Sequence, residues 1–100
     1  SAYYPNIEDK VSHLVFAVNK NHCFQDGNKR IAISLGALFL LLNGFVFIVP
    51  KFISEMENIS YHVASGKIDK DLLRNIVKSI IYDKYEDENI KLRIFNAINK

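Results

Sequence analysis

The sequence predicts an all-α protein, a compact bundle of about five helices around a buried central helix. Three observations carry that expectation. Apolar residues recur at three- and four-residue spacing along most of the chain, as one face of a helix requires. Pro and Gly stand where such helices would begin or end. The single β-rich run, 45–49, has no second run to pair with and reads as an extended connector. One hundred residues, 49% of them hydrophobic, suffice for one folded domain. Residues 1–100 are therefore expected to form a single unit, and a start at Ser1 without Met suggests the core of a longer protein.

The first helix follows Asn6, a good cap, and carries Ile7, Val11, Leu14, Val15 and Val18 on one stripe, with Glu8 and Asp9 favourable in its first turn. It runs to about residue 19–21, which leaves 22–27 as a loop. A second helix starts near Gly27 or Asn28 and ends at Asn43-Gly44, where Gly44 suits a left-handed cap. Because 31–42 is apolar nearly all round, this helix is expected to be the buried hub. Gly36 within it would let a neighbour approach closely, at a propensity cost of about 1 kcal/mol. Pro50 opens a third helix bearing Phe52, Ile53, Met56, Ile59 and Val63, and Gly66 stops it. Asp69 caps a fourth, with Leu72, Leu73, Ile76, Val77, Ile80 and Ile81 on one face. A charged turn over 83–88 leads to a short last helix offering Leu92, Ile94, Phe95 and Ile98.

Bulk properties narrow the function classes. A net charge of +2 gives no ground for a nucleic-acid or membrane-surface partner. Cys23 is alone, which rules out an intrachain disulfide or a cysteine zinc cluster and fits a reducing, cytoplasmic setting. The N-terminal residues lack a secretory pattern, and the twelve-residue apolar run 31–42 is shorter than the ~20 needed to span a bilayer.

The chemistry is concentrated in residues 22–30, His-Cys-Phe-Gln-Asp-Gly-Asn-Lys-Arg. They stand just ahead of, and at the start of, the central helix. The first N–H groups of a helix lack intrahelical partners, and its dipole presents positive charge there. Gly27 would let a phosphate approach the main chain, and Lys29 and Arg30 add full charges. Two cations at a helix start oppose the dipole, so an anionic ligand is the natural partner. Asp26 beside a phosphate makes sense as a Mg²⁺ ligand, because that ion uses one or two carboxylates together with substrate phosphates. Asp26 could equally cap the helix. His22, whose side-chain type titrates nearest neutrality, could remove the proton of an attacking hydroxyl.

This segment resembles the signature of the Fic/Doc family, His-x-Phe-x-Asp/Glu-Gly/Ala-Asn-Gly/Lys-Arg, matching at His22, Phe24, Asp26, Gly27, Asn28, Lys29 and Arg30. The resemblance extends over roughly residues 3–49. It implies an ATP-dependent transferase that moves a phosphate-containing group to a protein hydroxyl. In that reading His22 is the general base, Asp26 holds Mg²⁺, and Gly27, Asn28, Lys29 and Arg30 bind the nucleotide phosphates. Lys29 stands where the Fic branch has glycine, and Ile33 where that branch has a second arginine. Both match the Doc branch, so a Doc-like protein kinase of the toxin–antitoxin kind is favoured over Fic-type adenylyl transfer (AMPylation) and over a non-catalytic nucleotide- or partner-binding module. Gly27, Ile31 and Cys23 depart from the Doc pattern of alanine, threonine and proline. The upstream β-hairpin flap that docks targets in the family is not expected within these residues, so it is expected to belong to the rest of a longer protein or to come from another chain or subunit. Ser54-Glu-Met-Glu57-Asn58 is one residue too short for the family's inhibitory Ser/Thr-x-x-x-Glu motif, so an antitoxin-like inhibitor chain is the expected restraint.

Other polar residues have plainer readings. Cys23 adjoins His22, but no third group orients a nucleophile pair. His13 and His62 lack metal-ligand spacing. Lys20 could add a phosphate contact, and Tyr3, Tyr4 and Tyr61 could either line a base pocket or pack.

Overall fold

The computed structural model describes residues 6–21, 26–82 and 87–100. They form five helices and, among the described residues, no strand: α1 (Ile7–Asn21), α2 (Asp26–Leu42), α3 (Val49–Ala64), α4 (Lys70–Ile81) and α5 (Glu88–Ile98). α1 lies against α2 and α4, α2 also against α3, and α3 against α1 and α4, while α5 packs on α4. No helix among the described residues is long and apolar enough to cross a membrane.

The core sits where α1 to α4 meet. Val11, Val15, Leu40, Phe52, Met56, Leu73, Ile76 and Ile80 are each fully buried there. Burial of such side chains stabilises by about 1.5–3 kcal/mol apiece, an upper bound set by an extended unfolded chain. Polar links tie α1 to α4 across the rim: the Arg74 guanidinium donates to the Asp9 carboxylate, and the Tyr82 hydroxyl donates to Glu8 Oε1 at 3.3 Å. The bond from Asp9 raises the Arg74 pKa above its ordinary value, against a smaller opposing effect of burial. Between α1 and α2, the Lys10 ammonium lies 5.1 Å from the centroid of the Phe39 ring.

The helix ends follow their residues. Gly44 adopts φ +87°, with Gly44 N–H bonding Leu41 C=O at 3.1 Å and Phe45 N–H bonding Leu40 C=O at 2.9 Å. These two bonds satisfy the last carbonyls of α2 as in a Schellman ending. Gly66 closes α3 the same way, with Lys67 N–H on His62 C=O at 2.9 Å. Asp69 caps α4 by accepting from Leu72 N–H at 2.8 Å, and Asp87 starts α5 by accepting from Asn89 N–H at 2.8 Å.

Four expectations need correction. The central helix is buried on one side only: Ala32, Ile33, Gly36, Ala37 and Leu40 face the core, whereas Ile31, Leu35, Leu38, Leu41 and Leu42 are exposed. A helix that is apolar all round does not encode which of its faces meets a neighbour, and here α1 and α3 cover only one. α2 also begins at Asp26, one or two residues earlier than read, so that Asp26 belongs to the helix rather than to the loop before it. The 45–49 run is not extended: Phe47 and Ile48 form a turn, Val49 N–H bonds Val46 C=O at 3.3 Å, and Val49 is already helical. With no partner strand, its β-branched residues gain nothing from extension. Finally, α5 turns Ile90, Ile94 and Ala97 inward and leaves Leu92 and Phe95 exposed. The charged turn expected over 83–88 lies mostly outside the described residues, and its last member, Glu88, is in α5.

Candidate functional site

The start of α2 and the middle of α3 face each other across a cavity of about 340 Å³. Its walls are Lys29, Arg30, Ile33 and Ser34 from α2, and Ile53 and Glu57 from α3. Helical geometry accounts for both sets. Positions 29 and 33, and 30, 33 and 34, share one side of α2, while 53 and 57 are one turn apart on α3. α3 can present this pair because Phe52 and Met56, each one residue earlier, are fully buried and fix its rotation. Gly36 sets how near the two helices come. A β-carbon there would lie 2.7 Å from Phe52 Cζ, so only glycine leaves the Phe52 ring its place.

The electrostatics favour an anionic ligand. Lys29 is half-buried and Arg30 exposed, and among the described residues no acidic group pairs with either. They are the fourth and fifth residues of α2, at the end of the first turn, where the dipole is still on its positive side. An anion entering the cavity would meet the two full charges of Lys29 and Arg30. A volume of 340 Å³ is in the range of small-molecule sites, about 300–1,000 Å³.

Of the residues singled out in the sequence, Lys29 and Arg30 line this cavity together. Asp26, Gly27 and Asn28 form the start of α2 through their backbone, and their side chains lie outside what is described. His22 and Cys23 lie outside the described residues, as do Tyr3, Tyr4 and the side chain of Lys20. Asn19, buried in the last turn of α1 three residues before His22, has an Nδ2 without a partner among the described residues. Among the described residues, no group of three or more His, Cys, Asp or Glu is arranged to hold a metal. Tyr61 is exposed, forms an edge-on contact with His62, and is not part of the cavity wall. Three wall residues were not foreseen as ligand contacts: Ser34, Ile53 and Glu57. Ser34 could have been found from the helical register, since it follows Arg30 by four, whereas Ile53 and Glu57 share a side of α3 whose direction the register alone does not fix.

The Fic/DOC family profile matches residues 1–40, which include the whole 22–30 segment and the α2 side of the cavity. The chain is 32% identical over 68 residues to Toxin Doc of Mycolicibacterium smegmatis, a match covering 68% of this chain and 52% of that protein. It thus spans about half the length of the curated relative it matches. No solved structure gives a significant match. With the motif, the helix it opens and the relative in agreement, the chain is assigned to the Fic/DOC family.

Proposed function

We infer that this protein is a Doc-like transferase that moves the γ-phosphoryl group of ATP to a hydroxyl on a protein target. The observation that carries the reading is the cavity at the start of α2, where Lys29 and Arg30 stand side by side with no acidic partner among the described residues. In the proposed reaction His22 takes the proton of the target hydroxyl, whose oxygen then bonds to the γ-phosphorus. The bond from that phosphorus to the β–γ bridging oxygen breaks, and ADP leaves. Lys29 and Arg30 offset the charge on the phosphate oxygens, and Gly27 and Asn28 shape the anion-binding start of the helix. Asp26 is the one carboxylate of the motif, and one carboxylate plus phosphate oxygens is a donor set that Mg²⁺ accepts. Bound there, Mg²⁺ would supply further charge neutralisation at the phosphates.

The γ-transfer reading over AMP transfer rests on two residues. Lys29 brings a long cationic side chain into the cavity wall, and Ile33, rather than a second arginine, lies one turn further along the same wall. The relative's name, Toxin Doc, supports a toxin role, with an antitoxin-like chain as the restraining partner.

ATP labelled at either the α or the γ position, incubated with Mg²⁺, the protein and candidate translation factors, tests the reading. Label should pass to protein from the γ position only, and His22→Ala should abolish it. Transfer from the α position alone would overturn the kinase reading in favour of AMP transfer. ATP binding with no transfer of either label would reduce the protein to a binding module.

A further inference from the structure

The phosphate chemistry leaves one charged wall of the cavity unused, the Glu57 carboxylate on α3. Glu57 is exposed and shares the cavity with Lys29 and Arg30, yet among the described residues it is bonded to neither. A carboxylate beside a bound phosphate costs Coulomb energy unless the ligand places a hydrogen-bond donor in front of it. Ile33 and Ile53 supply apolar surface in the same cavity. The walls therefore suit a ligand with three parts: an anionic end, a body with apolar faces, and a donor end. A nucleoside polyphosphate has all three, because its sugar carries C–H faces and two adjacent O–H donors, and a carboxylate has two oxygens to accept them.

We propose that Glu57 is a specificity residue that accepts hydrogen bonds from the ribose hydroxyls of a nucleotide whose phosphates lie against Lys29 and Arg30. This rests on the phosphate-site reading above and adds what that reading lacks, a means of telling a nucleotide from a bare polyphosphate. Ser34, whose hydroxyl lines the same wall as Arg30, is free to accept or donate at the junction between phosphate and sugar.

Isothermal titration of the wild type, Glu57→Ala and Glu57→Gln with three probes tests it: ATP, 2′,3′-dideoxy-ATP and inorganic tripolyphosphate, each with Mg²⁺. The wild type should bind ATP about tenfold more tightly than the dideoxy analogue, as loss of a charge-assisted hydrogen bond implies. Glu57→Ala should bring that ratio close to one while binding tripolyphosphate more tightly. Glu57→Gln, which keeps an acceptor without the charge, should fall between. An unchanged ATP-to-dideoxy ratio in Glu57→Ala overturns the proposal. So does equal tightening of ATP and tripolyphosphate, since the carboxylate would then merely repel anions. If the wild type binds none of the three probes, the phosphate site fails and the role of Glu57 with it. If it binds all three without telling ATP from the dideoxy analogue, the role of Glu57 alone fails.

Discussion

Gly36→Ala sets two known effects against each other at one atom. In a helix interior alanine is favoured over glycine by about 1 kcal/mol. The new β-carbon would lie 2.7 Å from Phe52 Cζ, 3.0 Å from Cε2 and 3.5 Å from Val15 Cγ2. Phe52 is fully buried, so its ring has no open space to enter. Overpacking of this kind costs about 1–3 kcal/mol. The clash should therefore outweigh the propensity gain, leaving a net loss of about 1 kcal/mol and a melting temperature lower by about 5 °C. Urea and thermal unfolding followed by far-UV circular dichroism would read both. Phe52→Leu alone should also destabilise, by about 1–2 kcal/mol, through lost burial. Combined with Gly36→Ala it removes the atoms in conflict, so the double variant should be at least 1 kcal/mol more stable than the sum of the singles predicts. Stabilisation by Gly36→Ala alone, or additivity of the pair within about 0.5 kcal/mol, would refute the close approach of α2 and α3.

Further outcomes follow from other contacts. Lys29→Ala and Arg30→Ala should each weaken ATP binding about tenfold without lowering the melting temperature, since among the described residues neither is bonded within the fold. Titration calorimetry beside a melting curve checks both halves of that statement. Asp69→Ala should cost about 1 kcal/mol, because the Leu72 N–H at 2.8 Å loses its acceptor; chemical denaturation measures it. Removing the Asp9–Arg74 pair should cost no more than about 1 kcal/mol, as both side chains keep contact with water, and a double-mutant cycle isolates the coupling. Burial, and then the nearby Glu8, push the Tyr82 hydroxyl above its ordinary pKa of 10.0. The folded state then holds this proton where the unfolded state has lost it, so this contribution to stability is present below pH 10 and falls as pH rises past it. Tyr82→Phe should flatten that part of a stability–pH curve.

Much of this architecture was legible wherever a residue type admits few backbone states or leaves a group to be satisfied. Gly44 and Gly66 at positive φ, Pro50 at the start of α3 and the Asp69 cap marked helix ends directly. Lys29 and Arg30 were legible as a pair because cations at a helix start are anomalous unless an anion joins them. The exposed side of α2 was not legible, since 31–42 has no polar stripe to orient it. Nor was Glu57, whose relevance depends on the rotation of α3. That rotation is settled by Phe52 and Met56 packing far from the motif in sequence. In α5 the pattern allowed more than one apolar face, and packing on α4 selects the one that carries Ile90, Ile94 and Ala97.

α5 meets the rest of the molecule chiefly through α4, and of its residues Ala97 alone is buried, with Ile90 and Ile94 partly so. Two polar ties lie at its rim, Lys67 Nζ donating to Ile98 C=O at 3.1 Å and Arg93 donating to Asp71 at 3.4 Å, both exposed. The molecule therefore carries a gradient of local opening. Amides of α5 should exchange with solvent through fraying of that helix alone, whereas those of α1 to α4 around Phe52 and Leu73 wait for global unfolding. Because the described walls of the cavity come from α2 and α3, the ligand site should belong to the slow-exchanging part, and fraying of α5 is expected to leave it in place.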